Sequence, residues 1–160
     1  MVAQLTAAMP PASAAGVRWN LADLYAGLDD PQLSKDHAAT LAEARAFAEA
    51  YRGKVATLSA AALSAAVARR EAIAASAGKA LIYAHLLFAG DTGNPKHGAL
   101  VAATQEAQSE VQRSVLFFDL EWLAVADAQA NALLADPALA RYRHYLELAR
   151  LERPHTLSEP

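Results

Sequence analysis

Apolar residues recur at three- and four-residue steps through most of this chain, and that spacing sets the first expectations. Leu33, Leu41, Ala44, Ala48 and Tyr51 share one side, opposite Lys35, Glu43, Glu49 and Arg52, which predicts an amphipathic helix. Asp30 is placed to cap it, Pro31 suits its first position and Gly53 stands just past its end. Upstream, "RWNLADLYAG" predicts a short turn, with Asn20 as cap, Leu21, Leu24 and Tyr25 on one face, and Trp19 pinning it to the body. From Ser59, another capping residue, Leu63, Val67 and Ala74 mark one side of a long Ala-rich stretch. Gly78 within it weakens a helix relative to Ala, so the stretch is expected to divide near Ala77 to Lys79. The piece from Ala80 to Gly90 then reads as a buried helix, too short to span a membrane.

"DTGNPKHG" is a loop by composition, and Asn94 with Pro95 opens the next helix. Leu100, Ala103, Ala107, Val111, Ser114 and Phe118 form its stripe, which predicts the longest helix of the chain. Its end, "VLFFDLEWLAV", is apolar on every side yet holds Asp119 and Glu121, so it must be enclosed and its carboxylates must find partners. A short helix capped by Asp127 runs to about Ala135, and Pro137 opens a last helix that stops before Pro154. That last helix carries two apolar lines: Tyr142, Tyr145, Leu146 and Ala149 on one, Leu148 and Leu151 on another. One line suffices for packing within a domain, and the second predicts a further contact surface.

Composition agrees with the periodicity. Of 160 residues, 54% are hydrophobic and 19% charged, and about a quarter are Ala, the strongest helix former. The fold class expected is all-α: an antiparallel bundle of about six or seven helices. Net charge is −3 with both signs interspersed, which gives no field to attract nucleic acid or an anionic membrane. The chain has no Cys, which removes disulfides and thiolate chemistry and fits a reducing, cytoplasmic setting. Residues 1–18 lack the basic start of a secretory signal and read as a flexible leader. Residues 19–153 form the helical domain, and 154–160 a linker ending in "SEP", the start of a helix that does not follow. The chain is therefore expected to be part of a longer one.

Candidate chemistry is sparse. The five His residues, at 37, 85, 97, 144 and 155, are never four apart, so no helical turn offers two imidazoles to one metal, and H-E-x-x-H is absent. His85 reads as a core residue, and His97 as half of an exposed pair with Asp91. Asp119 and Glu121 point about 200° apart on a helix, which denies them a role as one acid–base dyad and favours Arg or Tyr partners from the body. A small enzyme using either carboxylate stays open as a third reading. No G-x-S-x-G elbow and no Gly-rich phosphate loop occurs.

"WNLADLYAG", "DDPQL", "YRGKVATLS", "YAHLLFAGDTGNP", "LFFDLE" and above all "YRHYLE" with "RPHTLSEP" resemble the amino-terminal part of oligoendopeptidase F, a zinc metallopeptidase related to thimet oligopeptidase. The resemblance runs from Trp19 to Pro160, and Tyr142 to Pro160 is its most specific element. It implies amino-terminal helices that form one wall of a deep channel for oligopeptide substrates. It also implies a carboxy-terminal catalytic half that holds the zinc with H-E-x-x-H and a further Glu. No catalytic, metal or cofactor residue carries over, because the motif has no matching position in this sequence. This piece alone is expected to bind no zinc and to be catalytically silent. Tyr145, Leu148, Leu151 and His155 are its candidate contacts with the catalytic half, and with that face open it is expected to self-associate. The opposing reading is a self-contained helical interaction module with no link to proteolysis.

Overall fold

In a computed structural model, residues 19–156 are described; the expected leader and the "SEP" end both lie outside them. Among the described residues there are five α-helices, three short 3-10 turns and no strand: α1 Pro31–Tyr51, α2 Ala60–Gly90, α3 Pro95–Ala124, α4 Asp127–Ala135 and α5 Arg143–Leu151. The all-α class holds, with five α-helices where six or seven were expected.

Starts are where the capping chemistry puts them. Asp30 accepts from the Gln32 amide ahead of Pro31, Ser59 accepts from the Ala62 amide, and Asn94 accepts from the Lys96 amide ahead of Pro95. The end of α1 is also as expected, because Gly53 adopts φ +75°, a left-handed conformation that a side chain would strain. Asn20 accepts from the Ala22 amide in the upstream turn, and Tyr25 is buried there. Trp19 is 63% exposed and does not pin that turn to the body. The ring of Tyr25 does so instead, edge-on to Tyr83 and with its hydroxyl donated to Asp36.

Five expectations about elements are overturned in whole or in part. Gly78 does not divide the second helix: α2 is continuous over 31 residues and exceeds the 30 of α3. The cost of one Gly in a helix interior, about 1 kcal/mol relative to Ala, is smaller than what packing on two neighbouring helices returns. Asp127 is not a cap but the first residue of α4, where its charge suits the positive helix end. Pro137 opens only a 3-10 turn, Pro137–Leu139, and the chain turns again before α5 begins at Arg143. Ala80–Gly90 is buried only at Tyr83 and Ala84: Ile82 is 56% exposed and α2 has no buried residue after Ala84.

The core lies among α1, α2 and α3 at the level of Phe47, Leu63, Phe118 and Trp122, and α4 and α5 close it through Leu134 and Leu146. Phe47 is fully buried against Tyr51, Phe117 and Phe118. By length and composition α2 is apolar enough to cross a membrane: its most apolar window has mean hydropathy 1.5 and is 17% buried. Its shortness was an expectation that rested on the break at Gly78. Its four charged residues all pair with neighbours: Arg69 with Glu43, Arg70 with Asp119, Glu71 with Arg141 and Lys79 with Asp36.

Candidate functional site

The carboxy-terminal helix is held by polar anchors around a small apolar contact. Leu146 is its buried residue, and the Trp122 indole donates to the Leu146 carbonyl at 3.0 Å. Arg150 reaches the end of α3, where its guanidinium donates to the carbonyls of Trp122 and Val125, both at 2.9 Å, and lies 5.4 Å from the Trp122 ring centroid. The same guanidinium meets Asp127 at 2.5 Å, and Arg153 meets it at 2.8 Å. The bond from Arg150, then the charge of Arg153, holds the Asp127 carboxyl below its ordinary range.

Asp119 and Glu121 find separate partners, as their splay requires. Asp119 accepts from Arg70 at 2.5 Å and from the Tyr145 hydroxyl at 3.4 Å, while Arg70 donates to that hydroxyl at 2.7 Å. This joins α2, α3 and α5, and burial above all pushes the Tyr145 phenol up. Glu121 turns to the other side and accepts the backbone N–H groups of Gly53 at 2.7 Å and Val55 at 3.3 Å. The expectation of Arg or Tyr partners is right for Asp119; for Glu121 the partner is backbone. Both carboxylates are structural ties in this arrangement, which leaves the acid–base reading without a geometry.

Beside the Asp119 tie lies a cavity of about 370 Å³ lined by Val67, Arg70, Glu71, Arg141, Tyr142 and Tyr145. Tyr142 donates to Glu71 at 2.8 Å and Arg141 to the same carboxylate at 3.2 Å. Each guanidinium in this cavity thus already has its carboxylate. Arg70 Nε is buried with no acceptor among the described residues. Sequence reasoning missed Arg70 and Arg150, although a carboxylate in an apolar run, as at Asp119, signals a cation somewhere in the fold.

Of the four expected contact residues, Tyr145 is 38%, Leu148 49% and Leu151 68% exposed, and His155 is exposed in the turn Arg153–His155. The two apolar lines on α5 are therefore real in this sense: Leu146 and Tyr142 face the core, while Leu148 and Leu151 stay open. On α3, Leu116 and Leu120 are also about half exposed, so the apolar run there is enclosed on its Phe117, Phe118 and Trp122 side but not all round. His85 is exposed and is not a core residue. His97 lies within α3 and contacts the Asp91 carbonyl at 3.0 Å, not its carboxylate. No group of three or more His, Asp or Glu suited to a metal occurs among the described residues.

The segment that builds this face has a recognisable relative. Residues 121–160 match the model of the peptidase M3 amino-terminal family, described as oligopeptidase F. The matched stretch begins at Glu121, spans the end of α3, α4 and α5, and includes the "YRHYLE" to "RPHTLSEP" segment on which the resemblance was strongest. No curated protein and no solved structure matches the chain.

Proposed function

Starting from an oligoendopeptidase F-like amino-terminal domain, matched over residues 121–160, we propose that this chain is the non-catalytic helical part of a zinc metalloendopeptidase that hydrolyses short peptides. In this reading the helices form part of the wall of a substrate channel, and a carboxy-terminal half of the same protein supplies the metal and the chemistry. The wall's contribution is steric: a narrow channel admits short unfolded peptides and excludes folded proteins. The five helices then belong to an antiparallel bundle, which the pairing of Glu43 with Arg69 and Asp36 with Lys79 supports for α1 against α2.

The observation that carries the proposal is the coincidence of the family match with an uncovered apolar face on α5. Tyr145, Leu148, Leu151 and His155 lie inside the matched residues and outside the core. A face of this kind, next to fully engaged polar anchors, is what an inter-domain contact needs. Zinc belongs to the catalytic half in this reading, since the described residues bring no donor set together. In this reading the protein works in the cytoplasm, with neither nucleic acid nor membrane as partner, which the interspersed charge of both signs and the net charge of −3 support.

The test is to read the coding sequence past Pro160 for H-E-x-x-H, and to express that downstream half separately. Binding of the two pieces, weakened by at least tenfold in Leu148→Glu with Leu151→Glu, is the expected result. A natural reading frame that closes without the motif would overturn this reading and favour a self-contained helical interaction module.

A further inference from the structure

Five of the eight large apolar side chains left exposed among the described residues belong to one strip: Leu116 at 52% and Leu120 at 45% on α3, with Tyr145 at 38%, Leu148 at 49% and Leu151 at 68% on α5. The two helices are joined in its middle. Leu116 stands one turn before Asp119, the Asp119 carboxylate accepts from the Tyr145 hydroxyl at 3.4 Å, and Leu148 stands one turn beyond Tyr145. From there α5 runs toward the end of α3, where Arg150 meets the Trp122 and Val125 carbonyls. The strip therefore extends from Leu116 to Leu151 and does not double back.

Its ends carry opposite charge. Arg113 lies one turn before Leu116, and Glu147 and Glu152 flank Leu151; all three are exposed. None of them forms an ion pair among the described residues. A strip with a cation at one end and carboxylates at the other is complementary to itself when turned end over end, which is the relation a two-fold axis imposes. The area is also of the right size. A large apolar side chain presents roughly 200 Å² when fully open, so these exposures amount to roughly 500 Å² per copy. A stable pair buries about 800 Å² per partner, of which about 65% is apolar in homodimers. The leucines and Tyr145 supply that apolar share, and the charged ends supply the polar rim.

From this arrangement we propose that the α3–α5 strip is a two-fold contact between two copies of this chain. Leu116 and Leu120 of one copy lie on Leu148 and Leu151 of the other, and Arg113 faces Glu147 and Glu152 at both ends. The contact needs only an open strip and does not rest on the peptidase reading.

Sedimentation equilibrium of the 160-residue chain is expected to show monomer and dimer with no larger species, because a two-fold contact uses both strips. Arg113→Glu should weaken dimerisation roughly tenfold or more by setting like charges face to face, and Glu147→Arg with Glu152→Arg should do the same. Combining all three reversals restores the pairing and should return dimerisation to within about threefold of the wild type. Leu116→Glu with Leu120→Glu should also weaken it roughly tenfold or more, since it buries unpaired carboxylates in the contact. All of these side chains are exposed in the single chain, and circular dichroism checks that each variant is folded. An open-ended series of oligomers, a triple variant no tighter than its parents, or wild-type dimerisation by Leu116→Glu with Leu120→Glu would each overturn the proposal. A chain that stays monomeric at every concentration yet binds a separately expressed downstream half through Leu116 and Leu120 would overturn it as well, and would assign the strip to the inter-domain contact.

Discussion

Replacing Arg150 with Met keeps an unbranched apolar stem and removes the guanidinium, so it isolates what the polar anchor of α5 contributes. Two donated bonds, to the Trp122 and Val125 carbonyls, disappear together with the exposed ion pair to Asp127, which contributes little. Bonds involving a charged group contribute about 1.5–3 kcal/mol each, and solvent nearby along Asp127, whose side chain is 75% exposed, argues for the low end. The stack on Trp122 adds roughly 0.5–1 kcal/mol, and Met recovers part of the stem packing. The net loss is about 3 kcal/mol. With a urea slope of about 2 kcal/mol per M, the midpoint should fall by about 1.5 M, and the thermal midpoint by roughly 6–12 °C. Circular dichroism in urea gives both the midpoint and the slope. Asp127→Asn should produce much the smaller change, since an exposed ion pair contributes little. If Asp127→Asn proves as damaging as Arg150→Met, or if Arg150→Met costs less than about 1 kcal/mol, the carbonyl bonds are not what holds α5.

Three further outcomes are expected. Gly78→Ala should stabilise the chain by up to about 1 kcal/mol in the same urea titration, because an added Cβ there meets nothing within 4 Å. Stability should fall as pH drops below about 4, the ordinary carboxylate range. Asp36 is held below that range first by the Gln32 bond and then by Tyr25, and Asp30 first by the Gln32 amide. A depressed carboxylate contributes above its unfolded pKa and loses its contribution as pH falls through the folded one; Asp36→Asn should make the acid slope shallower. At the alkaline end burial, then Asp36, pushes the Tyr25 phenol up, so its contribution is full below about pH 10 and declines above it. Finally, light scattering of the 160-residue chain should show concentration-dependent association that Leu148→Glu with Leu151→Glu abolishes; a monomer at every concentration would contradict the open-face argument.

Much of the helix plan was legible because caps are local chemistry. Asp30–Pro31, Ser59 and Asn94–Pro95 each state a start within a few residues, and the structure uses all three. What needed the tertiary fold was misjudged. Whether Gly78 breaks a helix depends on neighbours that the local sequence does not contain, and the exposure of Ile82 and His85 depends on where α1 begins relative to α2. Phe47 was absent from the expected stripe of α1 although it is the centre of the aromatic core, because its partners Phe117 and Phe118 lie on another helix. For the candidate site, the second apolar line of α5 was readable from spacing alone, as Leu148 and Leu151 show. Its anchors were not, since Arg150 and Trp122 lie 28 residues apart and Arg70 and Asp119 lie 49 apart.

Because α2 is unbroken, it is a rod of roughly 45 Å at 1.5 Å per residue. No residue of it after Ala84, and none of α3 before Thr104, is buried. The six residues of α2 beyond Ala84 thus overhang the last buried contact by about 9 Å, and the tip around Asp91 is tied by the contact of His97 with the Asp91 carbonyl rather than by the core.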